Sequence, residues 1–345
     1  MGTPPPVPEG PSVSVIVPAR NEEACLGACL QSLIAQTGVT FEIIVVDDGS
    51  TDRTRAIAES FPGVKVIEPG PLPAGWTGKN NAVAAGAKQA TGNWLLFTDA
   101  DTVHQPGSLA RAVAEVKEHG ADLLSYSPEQ EVHGFWEKAI MPVIFAELAR
   151  KYPPSRVSDF STNMAAANGQ YLLISRSVYD AVGGHAAVAH SLLEDVALAR
   201  AVRESGRRIY FRYGADAVRT RMYRSFDQLR EGWTKNLSLL FPFPALLAVR
   251  RALEFLLVIG CLALAAMGVF AGDWLVAALM LIFPLMTIRR IATAHFSWQS
   301  NLLGILGLPL FSYLLLRSKL FYRRGQVSWK GRTYTGHSAN ILPVS

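Results

Sequence analysis

Cysteine, charge and metal-spaced histidine are all scarce in this chain, and each scarcity removes a class of protein. Three cysteines stand among 345 residues. Cys25 and Cys29 are four apart in a helical pattern and Cys261 lies in an apolar run, so they read as reduced core thiols, not a disulfide framework. No histidine–cysteine cluster has metal-ligand spacing, which leaves a zinc site unsupported. Charged residues make up 18% of the chain against 50% apolar, with a net charge of +5. The basic residues of the second half gather around apolar stretches, and the first half carries no basic stripe or nucleic-acid motif. That pattern favours a membrane surface and argues against nucleic acid. The first strand-like segment leads into Pro18-Ala19-Arg20-Asn21, not G-x-G-x-x-G. Gly75-Trp76-Thr77-Gly78-Lys79 follows a loop and lacks the Ser/Thr of a P-loop, so both nucleotide motifs fail on context. The opening residues are Pro-rich and polar and run straight into a strand, so no signal peptide is expected and the globular part should stay in the cytosol.

Apolar runs that each end in polar chemistry are what the first half does contain. Val13–Val17 stops at Pro18-Ala19-Arg20-Asn21-Glu22-Glu23, where Asn21 and the following acids start a helix. Phe41–Val46 stops at Asp47-Asp48-Gly49-Ser50-Thr51-Asp52, before a helix through Ile57 and Ala58 and a strand at Val64–Ile67. Strand and helix alternating at short intervals predict a parallel α/β sheet. A Pro/Gly loop from Gly70 to Gly78 opens a helix of small residues, Lys79–Ala90. The run Trp94-Leu95-Leu96-Phe97 then reads as a buried central strand and ends at Asp99-Ala100-Asp101. On an extended backbone both carboxylates point toward one ligand, and they repel unless a cation lies between them. A hard divalent ion beside a phosphate supplies that cation, whereas an isolated Asp-x-Asp is more often a solvated turn.

These three strand ends, in this order and at these separations, resemble family 2 glycosyltransferases over about residues 12 to 236. The resemblance implies a GT-A fold: a Rossmann-like mixed α/β sheet that binds a nucleotide-diphosphate sugar, preferentially a UDP-sugar. It assigns Pro18, Arg20, Glu22, Asp47, Lys79 and Asp99 to the nucleotide-sugar, Asp47 at the base and Asp99 near the ribose and metal. It assigns Asp101, with Asp99, to a divalent metal (Mg²⁺ or Mn²⁺) on the diphosphate. It also implies a later carboxylate pair at a helix start, and Leu193-Glu194-Asp195-Val196 supplies one. Inverting transfer is a single displacement, so one base must take the acceptor's proton. Neighbouring helical residues point about 100° apart, so Glu194 and Asp195 cannot both face one atom. Family position gives the base to Asp195; taken alone, the pair could simply favour a helix N-terminus. Lys79, at a helix start after glycines, suits a phosphate or is a solvated lysine. Asn168-Gly169-Gln170 and Gly183-Gly184-His185 are implied to lie beside sugar and acceptor, or are turn punctuation. Asn168, Gly169, Glu194, Trp233 and Lys235 are the candidate acceptor or diphosphate contacts, Trp233 and Lys235 otherwise being an interfacial anchor.

Around Arg230-Glu231-Gly232-Trp233-Thr234-Lys235-Asn236 the chain departs from the Gln-x-x-Arg-Trp of processive members, which speaks against polymer synthesis. It resembles instead the lipid-glycosylating branch, which includes diaponeurosporenoate, hopanoid-associated and ceramide-glucosyltransferase-like enzymes. That implies a carotenoid-, hopanoid- or sphingolipid-like acceptor. The alternatives are a polysaccharide or polyprenyl-phosphate glycosyltransferase, or a nucleotide-sugar-binding membrane protein without catalysis.

Beyond this lies apolar sequence. Ala252–Phe270 is long enough to span a bilayer core, and Trp274–Ile288 is a shorter return span. Arg250-Arg251 and Arg289-Arg290 flank these on one side, which suits a hairpin with cytosolic basic ends. Leu302–Leu316 would place a basic tail outside if it spanned, so a re-entrant or interfacial segment is expected. A packed soluble helical domain is the competing reading of this whole region. Phe135–Phe145 reads as an interfacial or a core helix. The expected organisation is a flexible lead-in (1–11), the transferase domain (12–236), an interfacial link (237–251), a membrane domain (252–320) and a basic tail (321–345). The whole would sit as a multi-pass protein in the cytoplasmic membrane, its catalytic domain facing the cytosol.

Overall fold

The computed structural model describes residues 12–329 and 332–334, so the expected lead-in and residues 330–331 and 335–345 of the tail lie outside the described residues. The chain divides into two compact units: residues up to 129 with 154–221, and 130–153 with those from 222 onward.

The first unit begins with β1 (Val13–Ala19), α1 (Leu26–Ile34), β2 (Phe41–Asp47), α2 (Thr54–Glu59) and β3 (Val64–Ile67). It continues with α3 (Gly78–Gln89), β4 (Trp94–Phe97), β5 (Thr102–His104), α4 (Ser108–Glu118), β6 (Leu123–Ser127) and β7 (Glu129–Gln130). After α5 (Phe135–Lys151), which belongs to the second unit, come α6 (Pro154–Ser158), β8 (Leu172–Ser175), α7 (Arg176–Ala181) and α8 (Gly184–Ala187). The unit closes with α9 (Glu194–Glu204), β9 (Ile209–Tyr213) and β10 (Val218–Thr220).

A seven-stranded sheet in the order β3-β2-β1-β4-β8-β6-β9 forms its centre. β1, β2, β3 and β4 run parallel, as the alternating pattern predicts, while β8 enters antiparallel to both β4 and β6. Val13, Val15, Ile16 and Val17 of β1 are fully buried because both faces of the sheet are covered. The small residues of α3 have a direct use. A Cβ on Gly86 would lie 2.5 Å from Ile16 Cγ2, so the helix backbone rests against β1.

α3 is also tied at its start. Thr77 caps it by accepting from Asn80 N–H, and Thr77 N–H donates to Ala189 O at 2.9 Å. The buried Asn80 amide nitrogen lies 2.9–3.0 Å from the carbonyls of Val188, Ala189 and Ser191. One asparagine thereby fixes the start of α3 to the segment that leads into α9.

The second unit is helical: α5, then α10 (Phe226–Leu240), α11 (Pro244–Phe270), α12 (Trp274–Ala292) and α13 (Trp298–Arg323). A short hairpin of β11 (Val327–Trp329) and β12 (Arg332–Tyr334) follows. Three of its helices, α11, α12 and α13, are long and apolar enough to cross a membrane. α11 and α12 turn Leu253, Leu256, Leu257, Leu275, Leu285 and Met286 outward. Leu302–Leu316, expected as a re-entrant or interfacial segment, forms part of one 26-residue helix. Its lower apolarity has a packing cause: half of its apolar window is buried. A Cβ on Gly307 would lie 1.9 Å from Ala139 O, so α13 and α5 meet backbone to backbone. α5 is a core helix, with Ile140, Val143 and Ile144 fully buried. It and Arg224–Asn236, both placed by sequence in the transferase domain, belong to the helical unit.

The arginine pairs are split between two duties. Arg250 and Arg289 are exposed, whereas Arg251 and Arg290 turn inward to Glu147 of α5 at 3.0 and 2.8 Å. Arg290 also meets Glu254 at 2.9 Å, and Arg251 pairs with that same Glu254. Glu254, the lone acid in the first apolar run, is thus one corner of an ion cluster joining α11 and α12. Glu147 is only 1% exposed, and removing one partner of such a cluster strands the others. Glu147→Leu should therefore cost about 3–5 kcal/mol and Glu147→Gln less, read as thermal unfolding of the purified protein in detergent.

Candidate active site

Three neighbouring strands bring their carboxyl ends to one edge of the sheet. Ala19 of β1 is in register with Asp47 of β2, and Thr98 N–H, just past β4, donates to Ile16 O at 3.1 Å. Ligands of open α/β sheets bind at such an edge. The loops after β1 and β2 are knitted together. Arg20 donates to Asp48 O at the far loop, Asn21 Oδ1 accepts from Thr51 N–H at 2.8 Å, and Glu22 N–H donates to Thr54 Oγ1 at 2.7 Å. Asp47 is buried, with its Oδ1 accepting from Ser50 N–H at 3.1 Å.

The Asp-x-Asp segment differs in one respect from the extended backbone its pattern predicts. β4 ends at Phe97, and Asp99-Ala100-Asp101 forms a turn closed by Thr102 Oγ1 on Asp99 O at 2.7 Å. Behind it, the buried Thr98 hydroxyl lies 2.9 Å from Thr102 Oγ1, 3.1 Å from His104 Nε2 and 2.8 Å from Gln170 O. Burial pushes His104 down to about 3, so this network holds a neutral imidazole.

The cleft at this edge is lined by Pro18, Lys79, Phe97, Thr98, Asp99, Gly169, His185, Glu194 and Asp195, among others. Lys79 is its hub. Its Nζ lies 2.7 Å from Asp99 Oδ1 and 2.7 Å from Glu194 Oε1, joining the strand end to the start of α9. Burial works against the ammonium, but Asp99, Glu194 and Asp195 outweigh it and hold Lys79 well above the usual lysine range. Asp195 takes a different partner. Gly169 N–H donates to its Oδ2 at 2.8 Å, and its Oδ1 accepts from Val196 N–H at 2.8 Å. The adjacent acids therefore engage different groups, as their helical offset requires. Gly169 leaves this space open, because a Cβ there would crowd Lys79 Nζ at 3.3 Å and the Asp195 and Glu194 carboxylates at 3.5 Å.

Burial and the neighbouring Glu194 charge push Asp195 up to about 6, against the pull of Lys79 and the two amides. A carboxylate so placed is a stronger base than one in water and is still ionised at neutral pH.

Of the other candidates, Asn168 spends its Oδ1 on Gln170 N–H at 2.9 Å, within its own turn. Trp233 and Lys235 lie on α10 in the helical unit, where Trp233 is 2% exposed and packs edge-on to Phe145 and Tyr223. The indole packs in the core, which the sequence could not show because Phe145 is distant in the chain. His185, whose segment was read either as lying beside the sugar and acceptor or as turn punctuation, lines the cleft beside the acids. Lys79→Met should raise the Asp195 titration above about 6, since it removes the cation that lowers it; carbon-13 NMR of labelled aspartate carboxyls measures the shift.

The sequence profile described as "Glycosyl transferase family 2" matches residues 14–183. The 4,4'-diaponeurosporenoate glycosyltransferase of Staphylococcus aureus (strain MRSA252) is 30% identical, covering 94% of this chain and 88% of that protein. The protein of the same name from strain USA300 is 29% identical over the same shares. Among solved structures, the mannosyltransferase PcManGT from Pyrobaculum calidifontis, in complex with GDP-Man and Mn2+, superposes with a TM-score of 0.55 at 20% identity. That match covers 91% of this chain and 87% of PcManGT, and it shows a shared fold, the GT-A sheet. Strand ends, cleft and relatives agree: the chain is a glycosyltransferase and belongs to glycosyltransferase family 2.

Proposed function

We propose that the protein transfers a sugar from a nucleoside-diphosphate sugar to a lipid-soluble acceptor by a single, inverting displacement, with Asp195 as the base. The observation that carries this is the Asp195 carboxylate: held by two backbone N–H groups in the cleft, pushed up to about 6, and beside a lysine–aspartate pair. Asp195 accepts the acceptor hydroxyl's proton as its oxygen bonds to the anomeric carbon. Lys79 would stand against the phosphates, and Asp47, Pro18, Arg20 and Glu22 belong to the strand ends that would hold the nucleoside. A UDP-sugar is the donor proposed first, and GDP-sugars are the comparison.

Asp99 and Asp101 fit a divalent ion of one kind. Among the described residues no group of three or more His, Cys, Asp or Glu forms a closed metal site. Two hard carboxylates at one strand end suit an ion such as Mg²⁺ or Mn²⁺ that completes its shell from a diphosphate. Bound there, it would stabilise charge on the departing diphosphate.

The lipid reading rests on the outward leucines of α11 and α12 and on the name of the relatives. Drawing a lipid chain into water costs about 0.8 kcal/mol per CH₂, so a lipid-using enzyme gains from its own membrane segments. We place the protein in the cytoplasmic membrane with its first unit on the cytosolic side.

Asp195→Asn should leave binding of donor and metal nearly intact while transfer to a hydroxyl acceptor falls by about 10²–10⁴. Near-normal turnover on that acceptor would refute the base assignment. The relatives are named for a carboxylate, which when ionised brings no proton to remove. Loss on a hydroxyl acceptor with retention on a carboxylate acceptor would therefore assign that second chemistry. Asp101→Ala should abolish both activity and its dependence on Mg²⁺ or Mn²⁺. In the wild type the base works ionised, so initial rates should rise with pH through about 6 and then level. A profile flat from pH 5 to pH 8 would contradict this.

A further inference from the structure

His185 is a buried polar group in the cleft to which the transfer step gives no role. Its setting begins with Gly183 and Gly184, both left-handed at φ 78° and 52°. A Cβ on Gly184 would lie 2.5 Å from Tyr179 Cε1 and Cζ, so only glycine lets the tyrosine ring lie against this turn. The Tyr179 hydroxyl then meets His185 twice: its oxygen accepts from His185 N–H at 3.1 Å and lies 3.0 Å from Nδ1. Burial pushes Tyr179 up to about 12 and His185 down to about 4, so a phenol faces a neutral imidazole.

Hydrogen-bond accounting now assigns the tautomer. Among the described residues Nδ1 is the acceptor within reach of the Tyr179 O–H, so the phenol donates to it and the single imidazole proton sits on Nε2. The ring is 3% exposed and is held edge-on by Phe97 at a centroid distance of 4.7 Å. Among the described residues no protein acceptor meets Nε2. The ring lines the same cleft as Lys79, Asp99, Glu194 and Asp195.

We propose that His185 Nε2–H donates to a hydroxyl oxygen of the donor sugar, making His185 a specificity-determining residue for the sugar that is transferred. This rests on the nucleotide-sugar reading above. Lys79 and the Asp99–Asp101 turn already provide for the charged diphosphate, and a neutral donor fixed in one tautomer suits a neutral hydroxyl. A site group built to bond a substrate hydroxyl discriminates, because it is stranded when that hydroxyl is missing or inverted.

The test measures affinities of the full-length protein in detergent for UDP against UDP-glucose, and for GDP against GDP-mannose. Wild type, His185→Phe, His185→Gln and Tyr179→Phe are compared. His185→Phe should weaken the nucleotide-sugar about tenfold and leave the bare nucleoside diphosphate unchanged, as expected for one lost hydrogen bond. His185→Gln, which keeps an N–H donor, should recover most of that loss. Tyr179→Phe, which frees Nδ1, should fall between. Equal weakening of both ligands would mean a purely structural His185 and overturn the inference, as would no weakening of either. A wild type that binds the diphosphates but gains nothing from the sugar also overturns it. A wild type that binds none of the four ligands overturns the donor-site reading itself.

Discussion

An ammonium ion between two carboxylates holds this site together. Asp99, Glu194 and Asp195 come from a strand end and a helix start far apart in the chain, and three such acids in one partly buried cleft repel one another. Lys79 offsets that repulsion by meeting two of them directly and lowering the third at longer range. Its own place depends on Thr77 and Asn80, whose bonds to residues 188–191 set α3 against the approach to α9. Gly169 keeps the space open, and its N–H turns Asp195 away from the lysine. The result is a division of labour: one acid is neutralised by Lys79, and the next stays basic.

The same logic recurs in the helical unit with a structural outcome. There, Glu147 and Glu254 are matched against Arg251 and Arg290, and every group is tied to a partner of opposite sign. Such a closed cluster fixes which faces of α5, α11 and α12 meet. In the cleft Asp195 has amides as partners in place of a cation, which leaves it a proton acceptor.

Much of this was legible in the sequence wherever the information was local. Apolar runs ending in Pro18, Asp47 and Asp99 marked β1, β2 and β4 and their shared edge, because period and strand-end chemistry are written within a few residues. The antiparallel entry of β8 was not legible, since Leu172–Ser175 looks like any buried strand and its direction is set by partners on both sides. α5 was ambiguous for a related reason: its wholly apolar middle, residues 139–146, shows no face, and the glycines of α13 reveal what covers it. Glu254 has one counter-charge close by in sequence, Arg251, and a second, Arg290, thirty-six residues on, which only the fold brings to it. The glycine pair before His185 could be read as punctuation, because its reason is the Tyr179 ring beneath it.

On the mechanism we propose, one base without a cation bonded to it, Asp195, drives a single displacement, while the adjacent Glu194 is held by Lys79 and forms no bond to the sugar. Such a displacement inverts the anomeric carbon, whereas a covalent sugar–carboxylate intermediate would retain it. The direct measurement is proton NMR of the product formed from UDP-α-glucose, reading the coupling constant at the anomeric proton. A β-linked product is expected from the first turnovers onward. An α-linked product would contradict this mechanism and point to a nucleophilic carboxylate in the cleft.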